Sequence, residues 1–390
     1  MSRILKWLIY FIFFMNHTSE VLYVRERGHA TRDMLLPLSQ SPWWRLKNFG
    51  KDRHFITCMG VSIGVFQWLH GLFAPRFVQK TRGRRHYFDS ESALAYTLHY
   101  LNSTIEEQQL LFLFGSTPAT TSRTKWKAMR ILYDIVVREH ECRIQWPNAD
   151  EMIKYSAMIQ SKYRFIRGCI GVMDGTILEI KQNRNFAKQQ LYYSGHHKTH
   201  CVNNIFAFAP DGTIFDADTN YPGSYHDSRC AWRVYTHIID NTLLPRPYFL
   251  IADSAFPHRG ELHRDKVVTT LTVDERTLID SRTVAGSPER EFADCVARMV
   301  TCCRQSVEWG NRSVKSQFGR LKCLPMDDFQ RHIVITLCIH LYNMRTRLVQ
   351  INQIRSVFNA SYQFAVAQNP QFDRVHSFWL PEFRAAQLEK

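Results

Sequence analysis

Two apolar runs, each closed by an aspartate, constrain this chain most. Cys169 to Met173 leads into Asp174-Gly175-Thr176, and Tyr248 to Ala252 leads into Asp253. Short apolar runs rich in β-branched and aromatic residues read as buried strands. A carboxylate at the C-terminal end of such a strand stands where open α/β sheets present functional groups. Two acids carried on buried strands are costly unless a cation lies between them. The stretch between them supplies more sheet, because His200 to Ala209 and Thr213 to Ala217 flank the turn Pro210-Asp211-Gly212, and a short helix is expected around Cys230 to Ile239. Beyond Asp253 the sequence is polar and irregular to about Glu289. A long helix follows from about Glu291, with Val300, Cys303, Val307, Val314, Phe318 and Leu321 as its apolar stripe. The expectation is a mixed α/β domain around a central sheet.

Holding two hard cations with oxygen ligands calls for a third acid. Glu308 fits, since it follows the stripe residue Val307 and shares a side with Arg304 and Arg312, four residues away on either hand. Each acid also has a plain structural reading: Asp174 as the corner of an Asp-Gly hairpin, Asp253 as a helix N-cap ahead of Ser254 and Pro257, Glu308 as half of an i,i+4 ion pair. The order strand-Asp, hairpin, helix, strand-Asp, long helix-Glu is that of the ribonuclease H topology, which performs two-metal phosphoryl transfer. Mg²⁺ or Mn²⁺ follows from an all-carboxylate ligand set. No G-x-x-x-x-G-K-[ST] or G-x-G-x-x-G occurs, so nucleotide-fuelled and dinucleotide chemistry lack their usual entry points. His196, His197, His200 and Cys201 lack a second ligand pair at zinc-finger spacing, and with Lys198 they read as a solvated or DNA-facing loop.

Residues 41–165 read as helical. Phe55 to Leu72 is apolar at helical spacing, broken by Gly71 and Pro75, and the basic stretch Lys80 to Arg85 reads as an exposed linker. A helix opening at Ser90-Glu91 carries Leu94, Leu98 and Leu101, and a short one from Glu106 to Phe114 stops at Gly115. A third begins at Thr117-Pro118 and carries Arg123, Lys125, Lys127 and Arg130. Over about 90–135 this is the layout of a helix-turn-helix module whose last helix would set those four cations against phosphates and base edges. A helical bundle with a merely solvated basic face gives the same pattern. Lys+Arg 50 against Asp+Glu 35 leaves +15, which favours a polyanionic partner. Ten cysteines without a C-x-x-C pair point to reduced thiols and an intracellular compartment. The run Trp7 to Met15 is too short to span a bilayer, and Asn16 to Ser19 offers no small-x-small cleavage site, so no membrane partner is expected. Residues 1–40 read as an N-terminal extension and 349–390 as a C-terminal tail.

Four motifs in order, Asp174-Gly175-Thr176, Gly223-Ser224-Tyr225-His226-Asp227-Ser228, Leu250-Ile251-Ala252-Asp253-Ser254-Ala255-Phe256 and Phe318-Gly319-Arg320-Leu321-Lys322, resemble the DDE endonuclease domain of PIF/Harbinger transposases. The resemblance covers about residues 168–345, within an expected domain of 166–348. His340 to Arg347 resembles the closing helix of that domain, and the helices over 90–135 resemble the segment that precedes it. The resemblance implies a ribonuclease H-like α/β catalytic domain with a mixed central sheet, preceded by an all-α helix-turn-helix region. Metal-dependent DNA cleavage and strand transfer are the implied activity. Asp174 matches the first catalytic carboxylate and Asp253 the second. Many members carry the third acid three residues before the Phe-Gly pair, where this chain has Lys315; Glu308-Trp309-Gly310 is similar to another form found in the family, and Glu308 takes the role. Asp227 is expected as an accessory metal contact or the cap of its helix. Mg²⁺ or Mn²⁺ would rest on Asp174, Asp253, Glu308 and Asp227, with Arg312 and Lys315 facing DNA. Double-stranded DNA, a Myb-like accessory DNA-binding protein, a homo-oligomer and a nuclear location complete the expectation. The alternative is a domesticated, catalytically inactive transposase-derived DNA-binding protein.

Overall fold

A computed structural model describes residues 34–78, 87–182, 186–256, 263, 265–369 and 372. The apolar run 7–15, the basic stretch 80–85, Pro257 and nearly all of the tail beyond Asn369 lie outside the described residues. The chain divides into two compact units, Met1–Ile131 and Leu132–Lys390.

The first unit is helical: α1 (Pro42–Phe49), α2 (Asp52–Met59), α3 (Ile63–Phe73), α4 (Ser90–Asn102) and α5 (Glu107–Phe114) precede α6 (Pro118–Val136), within which the boundary falls. Side-chain caps set the starts: Ser41 accepts from the Trp44 N–H, Ser62 from Val65 and Asp89 from Ser92, each supplying an acceptor that the first helical turn lacks. Buried aromatic rings fill the centre, with Trp43 stacked on Phe114 at 6.0 Å between centroids. The apolar stretch 55–72 is two helices and not one. It breaks at Gly60, whose φ is 77°, and restarts at the Ser62 cap, while Gly71 sits inside α3. Among the described residues no single helix is long and apolar enough to cross a membrane; α2 and α3 reach that hydropathy only together, bent by 59°.

In the second unit α7 (Ala149–Lys162) leads to β1 (Cys169–Glu179), α8 (Phe186–Tyr192), β2 (Tyr193–Ser194), β3 (Thr199–Phe208) and β4 (Ile214–Pro222). Then come α9 (Asp227–Cys230), α10 (Trp232–Ile239), β5 (Phe249–Ala252), β6 (Val267–Thr269), α11 (Val273–Arg282), α12 (Pro288–Gln317), α13 (Asp328–Met344) and α14 (Gln353–Gln368). The sheet runs β2-β3-β1-β5-β6, and β4 also pairs with β3. It is mixed: β1, β3 and β4 are antiparallel neighbours, whereas β5 and β6 run parallel to β1. β1 continues unbroken through Asp174-Gly175-Thr176, paired with Phe206 to Asn204 of β3, so Asp174 is not a hairpin corner. The tight turn lies between β3 and β4, at Asp211-Gly212.

The region read as irregular before Glu289 contains β6 and α11, and the supposed tail contains α14, which buries Ile354, Phe358 and Tyr362 and packs on α7 and α12. The long helix starts at Pro288 under a Ser287 cap and ends at Gln317, so Leu321 belongs to the 3₁₀ turn Gly319–Lys322 that follows. Its buried stripe packs on β1, β3 and β5. At Gly310 an added Cβ would stand 2.8 Å from the Phe208 ring, so only glycine lets the helix sit this low there. On α13 the fully buried Asn343 accepts from the Ile214 N–H at 2.8 Å and donates to the Ile214 and Arg143 carbonyls at 2.7 and 3.0 Å. Arg347 adds a bond to the Glu141 carbonyl at 2.9 Å. The closing-helix motif thus holds the start of β4 in place by satisfying backbone groups that are costly to bury alone.

Candidate active site

Strand register brings the two aspartates together. Val172 pairs with Ile251 in the parallel β1–β5 ladder, and Asp174 and Asp253 each lie two residues further on. Side chains alternate along a strand, so both acids are level and on one face. β5 ends at Ala252, which leaves this side of Asp174 open. Asp253 does not cap a helix; its carbonyl accepts from the Phe256 N–H at 3.1 Å in a turn.

The first residue of α9 completes the acidic group. A Cβ on Gly175 would stand 2.7 Å from Asp227 Oδ2, so the glycine of the Asp-Gly-Thr motif makes room for a third carboxylate. Burial pushes Asp174 up to about 6; the Gly175 N–H, 2.8 Å from Oδ1, and Arg304 pull it down, and Asp253 and Asp227 push it further up. Burial also raises Asp227, opposed by His226 and His197, with Asp253 adding to the rise. Both rises come from negative charge held close by in a partly desolvated site.

Gly175, Asp227 and Asp253 line a cleft of about 910 Å³, together with Glu308, Arg312 and Lys315 of α12, and with His196, His197 and Lys322. Glu308, Arg312 and Lys315 recur at intervals of four and three, which puts them on one face of the helix. Glu308 is exposed and accepts from Arg304 Nη2 at 2.7 Å, an i,i+4 ion pair. The same Arg304 acts on Asp174, so one guanidinium serves both the strand-borne and the helix-borne acid. Lys315 is held below the usual lysine range by burial, against the pull of Glu179 and Asp174.

Among the described residues no three His, Cys, Asp or Glu side chains form a closed metal-binding group. The donor chemistry nonetheless fits a hard divalent ion, because Asp174, Asp227 and Asp253 present only carboxylate oxygens, and the charge of Asp253 raises the proton affinity of both Asp174 and Asp227, a strain that a cation relieves.

The basic residues of α6 separate. Arg123 and Arg130 are exposed. Lys125, expected to face phosphates, is 4% exposed, ion-paired with Glu107 at 2.5 Å and placed over the Tyr100 ring at 4.7 Å. Its charge is spent inside the unit. Lys127 is half-buried, reaches the Val78 carbonyl at 3.3 Å and lies over Phe77 at 4.4 Å.

His196 and His197, which the sequence marks as a solvated or DNA-facing loop, and Lys322, which it does not single out, all stand on the cleft wall. The Gly-Arg-Leu-Lys run after α12 was the available signal for Lys322, and the basic loop before β3 for the histidines. Residues 173–343 match the family model described as DDE superfamily endonuclease. The match takes in Asp174, Asp227, Asp253, Glu308 and Lys315, and ends on Asn343. No curated protein and no solved structure matches the chain.

Proposed function

We propose that this chain is a DNA transposase of the PIF/Harbinger type, a nuclease that cleaves double-stranded DNA with Mg²⁺ or Mn²⁺ and transfers the strand. The observation that carries the reading is the level pair Asp174 and Asp253 with Asp227 beside them, inside a segment similar to DDE superfamily endonucleases. The antiparallel β1, β3 and β4 with parallel β5 and β6 beside β1 support a ribonuclease H-like domain. Asp174, Asp253 and Asp227 would hold the divalent ion, and Glu308 would reach it from the rim once released from Arg304. When bound, such an ion lowers the pKa of water and stabilises the leaving oxygen. Arg312, Lys315 and Lys322 orient the scissile phosphate, and Arg123 and Arg130 of a helix-turn-helix bind flanking DNA. A nuclear location, a Myb-like partner and a homo-oligomer belong to the same reading. The Arg304–Glu308 ion pair and Lys315 at the usual third-acid position favour the alternative of a domesticated, catalytically inactive DNA-binding protein.

Supercoiled-plasmid nicking tests the proposal. Wild type should nick with Mg²⁺ and stop in EDTA; Asp174→Asn and Asp253→Asn should each lose several orders of magnitude while still binding DNA. Cleavage undiminished by EDTA, or full-rate cleavage by either variant, refutes it.

A further inference from the structure

A second polar cavity, of about 600 Å³, lies beyond the last turns of α12. Ser313, Ser316 and Gln317 of α12 form one wall, Arg345 follows α13, and Gln353 and Ser356 belong to the first turns of α14. Its lining has no Asp or Glu. Arg345 Nε is fully buried with no hydrogen-bond partner among the described residues, and burial holds the guanidinium below its usual range. A partly buried cation with an unused donor, at the edge of an open polar cavity without acids, is a site short of an anion.

Ser316 lines both this cavity and the catalytic cleft. The two therefore flank one helix, about 10 Å across. A strand with one phosphate per 3.4 Å crosses that width in about three nucleotides.

We propose that this cavity is a phosphate subsite in which Arg345 takes a backbone phosphodiester of a DNA strand, about three nucleotides from the phosphate in the cleft. The proposal rests on the reading of the cleft as DNA-binding, and its test measures binding and not cutting. Gln353 is exposed at the first position of α14, where an acid is favourable to the helix, so Gln353→Glu places a carboxylate against Arg345 without threatening the fold. Gln363→Glu, exposed ten residues further along the same helix, is the charge control.

Fluorescence anisotropy on a labelled 30-base-pair duplex across a salt series reads the outcome in the full chain. Gln353→Glu and Arg345→Gln should each weaken binding roughly tenfold and lower the slope of log K against log salt by about 0.9, the loss of one phosphate contact, with Gln363→Glu unchanged. Should Arg345→Gln fail to fold, Gln353→Glu decides alone. Gln353→Glu with wild-type affinity and slope, or equal losses in Gln353→Glu and Gln363→Glu, overturns the proposal. Inorganic phosphate is the second arm: if it raises the wild-type melting temperature and not that of Gln353→Glu while DNA affinity is equal, the site takes the free ion and the strand assignment falls. A wild type that binds DNA in this pattern yet never nicks refutes the nuclease reading and leaves the subsite standing.

Discussion

Asp174→Asn should make the metal-free protein more stable at neutral pH while destroying its chemistry. The folded chain keeps a proton on Asp174 up to about pH 6, whereas the ordinary value is 3.8. Between those values the native state binds more protons than the unfolded chain, so stability falls as pH rises through the window. A change of about two pH units corresponds to about 3 kcal/mol of cost, fully felt above pH 6. Asparagine keeps an oxygen for the Gly175 N–H and removes the charge that burial, Asp253 and Asp227 oppose. At pH 7.5 in EDTA the variant should gain about 3 kcal/mol, roughly 6 to 12 °C in melting temperature for a unit of this size. Near pH 4 the gain should fall below about 1 kcal/mol. Adding Mg²⁺ at about a hundred times its dissociation constant should return about 2.7 kcal/mol to wild type and much less to the variant. Urea melts of both proteins at pH 4 and 7.5, with and without Mg²⁺, supply the numbers. A variant no more stable than wild type at pH 7.5, or one whose advantage is the same at both pH values, would refute the reasoning.

Gly310→Ala should cost about 1 to 3 kcal/mol, because the new methyl meets the Phe208 ring and must lift α12; a melting temperature equal to wild type would contradict the close approach. Asn343→Ala strips partners from the Ile214 N–H and from two carbonyls, and calorimetry should show a loss of about 3 kcal/mol with the start of β4 exchanging its amides first. On α6, Arg123→Ala with Arg130→Ala should weaken DNA binding and flatten its salt dependence, whereas Lys125→Ala should lower thermal stability first, since Glu107 loses its partner. In the nicking assay Glu308→Gln should fall by orders of magnitude and Lys315→Gln only severalfold; the reverse order would move the third role to position 315.

How far the chain was legible depended on where the signal lay. β1 and β5 announced themselves because buried parallel strands read as continuous apolar runs, and the acids after them needed only the register to become neighbours. Val267–Thr269 is too short for any periodicity to show, yet α11 carried a readable start, Thr272 with Glu275 three residues on, and both arms of that capping box form. α14 repeated Ile354, Phe358 and Tyr362 at intervals of four and was still passed over as tail. Lys125 was misjudged because its position on a basic helix says nothing about Glu107, eighteen residues earlier, which only the folded unit brings within reach. The contact of Asp227 with Gly175 is of the same kind, joining residues that no local pattern links.

The seat of α12 on Phe208 at Gly310 has a consequence for how such a site can change over time. A strand holds its acid rigidly in phase: slipping Asp174 by one residue turns the side chain to the opposite face, and Asp253, directly after β5, takes its level from the same register, so neither has a neighbouring position to migrate to. The helix is more forgiving. With its backbone pinned low against the sheet, positions 308, 312 and 315 all open onto one cleft, and this chain fills them with Glu, Arg and Lys. Each is a socket one turn from the next, and a carboxylate can leave one and appear in another without a change in the fold. Two candidate acids are thus fixed by the sheet, and a third would be free to wander along a rail.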